Sequence, residues 1–363
     1  MSQGKPATPH LFQPLTLRSV TARNRIMLSP MCEYTSKEGM PNDWHMVHLG
    51  SRAIGGAGIV CTEAAAVEPK GRITPLCLGI WNDAQRDALA PVVRFIAQHG
   101  AVPGIQLAHA GRKGSTHAPW EARRAIPVSE GGWVPLAPSA IAFDPNHPMP
   151  EAMTTAQIAE VTRAFAAAAK RSLDAGFRLI ELHAAHGYLI HEFLSPLSNR
   201  RTDGYGGSLQ NRARLLLEVV AAVRKEWPDD LPLLVRVSAT DWVDGGWDVA
   251  QTTEVARMLK ATGQVDLVDC SSGGNDPAQK MVVGPGYQVP FAEAVRRDAG
   301  IATGAVGLIR DAQQAEAILA NGQADVIVMG RKLMSEPYWP MQAAKALGFE
   351  YPWPKQYLRA NIA

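Results

Sequence analysis

The chain has 363 residues, 46% of them hydrophobic, which is long enough for one large α/β barrel or for two smaller domains. Its 36 basic and 34 acidic residues leave a net charge of +2. The chain therefore lacks the large excess of positive charge that is typical of proteins that bind nucleic acid or anionic membranes. No uncharged apolar run approaches the ~20 residues that span a bilayer, and the polar N-terminus lacks the apolar core of a signal peptide. We therefore expect a soluble, cytoplasmic protein with small-molecule partners, no nucleic acid and no membrane.

Short β-rich apolar runs alternate with longer helical patterns along the whole chain, which is typical of βα units around a parallel sheet. The eight predicted strands are 25–29, 58–63, 102–107, 178–182, 233–237, 266–270, 301–304 and 325–329. The predicted helices are 87–98, 155–175, 210–226, 250–262, 288–297 and 311–320. Eight strands predict a single (β/α)₈ TIM barrel, one domain over residues 1–363. A doubly wound fold is the alternative, but its G-x-G-x-x-G turn is missing.

One segment interrupts the alternation. Residues 111–153 follow the third strand, are rich in Pro and Gly, and are far longer than an ordinary βα loop. Because βα loops line the catalytic face of a TIM barrel, we expect a lid-like excursion over the site. The proline-rich end, about residues 350–363, is expected to form a C-terminal arm.

The fourth predicted strand ends in His183-Ala-Ala-His-Gly-Tyr188. Two imidazoles and a phenol at a strand end can donate hydrogen bonds and a proton to a carbonyl-like group. The spacing of His183 and His186 also allows a metal-dependent TIM-barrel hydrolase, and the two could be ordinary core histidines. The four cysteines lie far apart without a C-x-x-C pair, so we expect reduced thiols and no metal.

Other strand ends carry weaker signals. Cys32 and Tyr34 follow the first strand, where a buried cysteine and a core tyrosine are the simpler interpretation. Gln106, at the end of the third strand, could match the donor and acceptor edge of a heterocycle. Arg236 lies inside the fifth strand and must be paired or face a ligand. A structural pair with Glu181 or Glu63 explains it equally well.

The last two strands end in glycine-rich turns that contain Gly307, Gly330 and Arg331. Glycine lets backbone amides approach an anion, and an arginine fork suits phosphate. TIM barrels commonly bind phosphate here, so the sequence predicts a phosphorylated cofactor or substrate.

Taken together in this order, these motifs resemble the Old Yellow Enzyme family of flavin-dependent ene-reductases, from about Leu11 to Arg359. The motifs are Pro30-Met-Cys-Glu-Tyr34, Glu63-Ala64, Gln106-Leu-Ala-His-Ala-Gly-Arg112, His183-Ala-Ala-His-Gly-Tyr188, Arg201-Thr-Asp-Gly-Tyr-Gly-Gly-Ser208 and Gly330-Arg331. Cys32 and the His183/His186 pair are similar to the thermophilic-like bacterial subclass, which includes NADPH dehydrogenases and xenobiotic reductases. Members outside that subclass carry Thr and commonly a His/Asn pair at these positions.

The resemblance implies one non-covalent FMN at the C-terminal mouth of the barrel. The residues that it implies for the isoalloxazine and ribityl parts are Ser29, Pro30, Met31, Cys32, Ala64, Gln106 and Arg236. For the phosphate, it implies Gly307, Gly330 and Arg331. Cys32 would modulate the redox potential rather than act as a nucleophile.

The resemblance also implies a ping-pong reaction in which NAD(P)H, with NADPH favoured, reduces FMN and an activated alkene such as an enone, maleimide or nitro compound then accepts the hydride. His183 and His186 would bind the substrate oxygen, Tyr188 would protonate the α-carbon, and Tyr34 would contact the substrate. In the subclass, the counterpart of Arg359 reaches the neighbouring active site, which implies a homodimer or homotetramer.

Overall fold

The computed structural model describes residues 7–121 and 124–361. Its strands in chain order are β1 (Leu15–Leu17), β2 (Val20–Ala22), β3 (Ile26–Leu28), β4 (Ile59–Ala66), β5 (Val102–Ala108), β6 (Leu136–Ala137), β7 (Glu151–Ala152), β8 (Leu179–Ala184), β9 (Leu233–Ser238), β10 (Leu267–Ser271), β11 (Ala302–Ala305) and β12 (Val326–Met329). Its α-helices are α1 (Asp43–Ile54), α2 (Asp83–Gln98), α3 (Thr155–Ala175), α4 (Leu189–Leu194), α5 (Leu209–Glu226), α6 (Val249–Ala261), α7 (Val289–Ala299), α8 (Ala312–Ala320), α9 (Arg331–Ser335) and α10 (Trp339–Ala346).

Eight parallel strands close into a barrel in the order β3, β4, β5, β8, β9, β10, β11, β12, and β12 pairs back onto β3. These are the eight strands expected from the sequence, each within a few residues of its predicted bounds, so the predicted (β/α)₈ barrel is confirmed. The strands are almost entirely buried because side chains fill the barrel inside and helices cover it outside. Their carboxyl ends meet at one face, which brings the motifs of the sequence together.

The opposite end of the barrel is closed by a hairpin that the sequence analysis missed. Strands β1 and β2 pair in antiparallel fashion. Their apolar residues Leu15, Leu17 and Val20 pack against a buried cluster at the N-terminal ends of the barrel strands, which includes Met27 and Leu179. The hairpin therefore covers this end of the barrel.

The prediction for α2 was wrong at its start. The helix begins at Asp83 rather than Asp87, because Asn82 and Gln85 form a capping box one turn earlier. Pro91, which would have been near the start of a helix that began at Asp87, consequently lies inside α2. Helix α3 has the predicted bounds, with Thr154 as its N-cap and Gly176 as its C-cap. Helices α1, α4, α9 and α10 were not predicted.

The segment 111–153 leaves the barrel between β5 and α3 and contains the short pair β6 and β7. Its first residues are anchored by buried contacts: the backbone N–H of Arg112 donates to Glu192 Oε1 at 2.8 Å. Residues 122–123 of this segment lie outside the described residues, as do 1–6 and 362–363 at the ends of the expected domain. None of the described helices is both long and apolar enough to cross a membrane.

Candidate active site

The turn after β8 carries the histidines and the tyrosine. Glu181 and His183 are two residues apart on β8, so both point to the same side of the strand. The chain then reverses through left-handed backbone at His186 (φ 59°) and Gly187 (φ 70°). A Cβ on Gly187 would lie 2.3 Å from the carbonyl oxygen of Gly274, so only glycine fits there. This reversal returns the chain over the end of its own strand.

The reversal brings three rings together, as the sequence suggested. The ring centroids of His183 and His186 are 5.2 Å apart, and those of His183 and Tyr188 are 5.0 Å apart, both edge to face. His186 Nε2 lies 2.7 Å from Ser271 Oγ, and the His186 backbone N–H donates to Ser238 Oγ at 2.9 Å. His183 Nδ1 is buried and has no hydrogen-bond partner in the described part of the chain. The cluster therefore has fixed rings and, among the described residues, one buried ring nitrogen whose hydrogen-bonding capacity is unused.

Burial sets the protonation states of this cluster. It lowers the pKa of both imidazoles well below the usual value, and the nearby positive charge of Arg236 lowers it further. Burial also raises the pKa of the Tyr188 phenol well above its usual value. At neutral pH the site therefore presents two uncharged imidazoles and a protonated phenol, which suits hydrogen bonding to an oxygen and proton donation.

The segment after β3 lies against this cluster. The Cys32 thiol has its pKa raised well above normal by burial, and also by nearby Cys77 and Glu63, so it is a protonated thiol and not a thiolate. Tyr34 has positive φ (50°), and its ring meets Trp120 of the 111–153 excursion edge to face, with centroids 5.7 Å apart. Tyr34 therefore faces the excursion, and the simple core interpretation is wrong for it.

Gln106 and Arg236, which we call the floor, lie on the two strands that flank β8, where Gln106 is in register with Glu181 and Arg236 with His183. Gln106 Nε2 donates to Glu181 Oε1 at 2.8 Å. Arg236 Nε lies 3.2 Å from Asp269 Oδ2, and Arg236 Nη1 donates to Ser29 Oγ at 2.8 Å. Arg236 thus pairs with Asp269, its neighbour in register on β10, rather than with Glu181 or Glu63 as the structural alternative supposed.

Glu63 has a different role, which the sequence did not reveal. It accepts a hydrogen bond from the Glu33 backbone N–H at 3.2 Å, and its other oxygen lies 3.0 Å from His45 Nε2. Both side chains of this pair are buried. Helix α1, which supplies His45, therefore braces the segment between Cys32 and Tyr34.

A cavity of about 190 Å³ opens beside the ends of β11 and β12. Gly307, Gly330 and Arg331, which the sequence analysis assigned to a phosphate, line this cavity together with Arg310, which it did not single out. A Cβ on Gly330 would lie 3.1 Å from Met31 Sδ, which shows how closely the turn approaches the segment after β3. The spacing of Gly307 and Arg310 just after a strand could have suggested this second guanidinium.

A second cavity, of about 300 Å³, lies against Tyr188 of the ring cluster, whereas His183 and His186 are not among its lining residues. Its lining joins Tyr34 and Tyr188 to residues of the excursion, among them Lys113, His117, Phe143 and His147. Lys113 Nζ donates to the backbone carbonyls of His186 and Gly274, each at 2.9 Å, and lies 5.1 Å from the Tyr188 ring centroid. Lys113 was not singled out from the sequence, because nothing local distinguishes it from a surface lysine.

Two further expectations concern residues away from these cavities. Arg359 is exposed, in a 3₁₀ helix (Lys355–Ala360), and is not among the residues that line either cavity. Within the described residues no group of three or more His, Cys, Asp or Glu side chains is arranged to hold a metal ion. His183 and His186 instead face serine, tyrosine and each other.

Comparison with known proteins decides the family. The family model described as NADH:flavin oxidoreductase / NADH oxidase matches residues 10–350. The chain belongs to this family, the Old Yellow Enzyme family. It is 50% identical to an NADPH dehydrogenase of Geobacillus thermodenitrificans and 49% identical to one of Bacillus subtilis, in each case over 96% of this chain and 98% of the relative.

Among solved structures, morphinone reductase in complex with tetrahydroNAD superimposes with a TM-score of 0.79 at 28% identity, over 96% of this chain and 94% of that one. A 2-naphthoyl-CoA reductase complex gives a TM-score of 0.84 at 28% identity, covering 93% of this chain but 52% of its own. As a member of this family, the protein is an FMN-dependent NAD(P)H oxidoreductase.

The residues present fit FMN. The cavity at the ends of β11 and β12 has the glycines and guanidinium groups that a phosphate needs. Gln106 retains an amide oxygen beside its donated hydrogen bond, and Arg236 adds a buried positive charge where a flavin pyrimidine ring would need one. Beside Arg236, His183 has a buried ring nitrogen that no group in the described part of the chain bonds.

Proposed function

We propose that this protein is an ene-reductase, which uses electrons from NADPH to reduce the carbon–carbon double bond of enones, maleimides or nitroalkenes. The observation that carries the proposal is the ring cluster: two neutral imidazoles pack edge to face beside a protonated phenol, and that phenol, Tyr188, lines a cavity of about 300 Å³. An NADPH oxidoreductase needs an electron acceptor, and this cluster suits an acceptor that gains charge on oxygen and a proton on carbon.

In the proposed holoenzyme, the chain is one FMN-binding domain. The residues that would hold the isoalloxazine and ribityl parts are Ser29, Pro30, Met31, Cys32, Ala64, Gln106 and Arg236, and those that would hold the phosphate are Gly307, Gly330 and Arg331. Bound FMN supplies the two-electron chemistry that passes from NADPH to the alkene. The guanidinium of Arg236 stabilises negative charge on the pyrimidine ring, and the protonated Cys32 thiol adds a weak donor near the ring system.

His183 and His186 donate hydrogen bonds to the carbonyl or nitro oxygen of the substrate. Because both imidazoles are uncharged, they stabilise developing negative charge without protonating that oxygen. Tyr188 donates its phenolic proton to the α-carbon, and Tyr34 packs against the substrate from the side of the excursion. Donation of this kind typically contributes about 10²- to 10⁴-fold to the rate.

The test of this function follows the flavin absorbance of purified protein without oxygen. NADPH should bleach the band, and 2-cyclohexenone should then restore it. Cyclohexanone is the matched control, because it has the carbonyl but no double bond, and it should leave the band bleached. Failure of the enone, of N-methylmaleimide and of a nitroalkene to restore the band would overturn the proposal while leaving the NADPH oxidoreductase intact.

We also propose a homodimer or homotetramer in which Arg359 reaches the neighbouring active site. Its support is the exposure of Arg359 on an arm that carries exposed apolar side chains, Tyr357 and Leu358. Mixing Arg359→Met chains with Tyr188→Phe chains tests it, since a mixed dimer would hold one site with both native residues. Random pairing would restore about a quarter of the native sites. If Arg359 acted only within its own chain, mixing would restore none.

A further inference from the structure

A polar cluster lies inside the barrel beneath the ring cluster. Four neighbouring strands, β5, β8, β9 and β10, each contribute one member: Gln106, Glu181, Arg236 and Asp269. Glu181 and Asp269 are fully buried, and the other two are nearly so. Gln106 donates to Glu181, and Arg236 lies 3.2 Å from Asp269, so each carboxyl holds one residue of the proposed flavin floor.

The charges of this cluster do not balance. It contains two carboxyl groups but only one guanidinium, and two buried carboxylates beside one cation cannot both stay ionised without a large penalty. Among the described residues, the other ionisable groups that interact with it include the thiols of Cys61 and Cys270, the imidazoles of His183 and His186, and the phenol of Tyr287. All five are uncharged, because burial raises the pKa of the thiols and of the phenol and lowers that of the imidazoles. If both carboxyl groups were ionised, the cluster would therefore carry one net negative charge.

The hydrogen bonds show where a proton belongs. Glu181 Oε2 and both oxygens of Asp269 are buried without a hydrogen-bond partner in the described residues. A proton held between the two carboxyl groups would satisfy one oxygen of each and remove the excess charge. In agreement, burial and the neighbouring Asp269 raise the pKa of Glu181 to about 8, and burial raises that of Asp269.

We propose that Glu181 and Asp269 share one proton, and that this pair takes up or releases the proton in step with the charge on FMN. The proposal rests on the placement of FMN against Gln106 and Arg236 given above. Neither carboxyl touches the substrate, so both are positioning residues. They hold Gln106 and Arg236 in place and change the midpoint potential of FMN.

The direction of the coupling follows from charge. Reduction of bound FMN by two electrons and one proton would leave one negative charge near Arg236. That charge raises the proton affinity of the carboxyl pair. Below about pH 8 the pair already holds its proton, so reduction takes up one proton per two electrons. Just above that pH the oxidised enzyme has lost the shared proton, and reduction recovers it from water, so two protons accompany two electrons.

The midpoint potential of bound FMN against pH tests this, measured by reduction with a reference dye and no alkene. The slope for the native enzyme should double as the pH rises through about 8. Glu181→Gln should keep the single slope throughout, because one carboxylate paired with Arg236 has no proton to exchange. Glu192→Gln is the matched control, since Glu192 is also buried, with a pKa raised to about 8, but lies outside the cluster. It should behave as native.

A second measurement detects the shared proton directly. Above the pH of the change in slope, the infrared difference spectrum on reduction of the native enzyme should gain a carboxylic acid C=O band, and Asp269→Asn should lose it. A single slope in the native enzyme, absence of the band, or a doubled slope retained in Glu181→Gln would overturn the proposal. None of these readouts uses an alkene, so failure of the ene-reductase proposal would leave them unaffected.

Discussion

Replacing Gly187 with alanine should destabilise the protein more than the same replacement at a glycine with free space around it. Gly187 has φ 70°, where a Cβ costs about 1–2 kcal/mol. The new methyl group would also lie 2.3 Å from Gly274 O and 2.7 Å from Asn275 Cα, which are backbone atoms that cannot turn aside. Overpacking of this kind adds about 1–3 kcal/mol, so we expect a total loss of about 2–5 kcal/mol.

Gly245 provides the control, because its φ is 72° and a Cβ there would meet nothing within 4 Å. Gly245→Ala should therefore lose only the backbone contribution, about 1–2 kcal/mol. Urea unfolding followed by circular dichroism compares the two variants with the native protein. If both variants lose the same stability, the close approach of Gly187 to Gly274 is not a constraint. Because the turn carries His186 and Tyr188, Gly187→Ala should also slow reoxidation by an enone.

Three more outcomes follow from the site. Arg331→Met should weaken FMN binding by about 10- to 100-fold, the cost of one lost charge-assisted hydrogen bond, but leave riboflavin binding unchanged in titrations of the apoprotein; equal losses for both would place Arg331 away from the phosphate. Lys113→Met should slow reoxidation by an enone about 10-fold, because it removes two hydrogen bonds to the backbone of the active-site loops. Lys280→Met, at an exposed lysine, should keep the native rate. Equal rates in the two variants would show that Lys113 has no role in reoxidation. The rate of reoxidation should show no histidine inflection as the pH falls through about 6.5, because burial lowers the pKa of His183 and His186. The free energy of unfolding should instead fall below that pH, because the two histidines bind protons in the unfolded chain but stay uncharged in the folded one. An inflection near 6.5 that disappears in His186→Gln would contradict this.

The barrel was predictable because its strands are short apolar runs set off by glycine and by helix caps. The start of α2 was not, since Asp87 and Asn82 are both acceptable N-caps and only the capping box with Gln85 separates them. The hairpin of β1 and β2 escaped notice because its three-residue strands are too short to show alternation.

The ring cluster could be predicted because His183, His186 and Tyr188 are close in sequence. The partners that hold the site are not close in sequence. Asp269 meets Arg236 through strand register, and His45 meets Glu63 from a helix that was not predicted. Lys113 reaches the carbonyls of residues 73 and 161 positions away. Such contacts depend on barrel closure, which local patterns do not encode.

The most direct test of the account is the rate at which 2-cyclohexenone reoxidises the reduced flavin in Tyr188→Phe, measured by rapid mixing. We expect a loss of about 10²- to 10⁴-fold with bleaching by NADPH unchanged, because only the proton donor is removed. Tyr205→Phe is the matched control, since its hydroxyl bonds Glu218 outside the site, and it should keep the native rate. A native rate of reoxidation in Tyr188→Phe would contradict the assignment of Tyr188 as the proton donor.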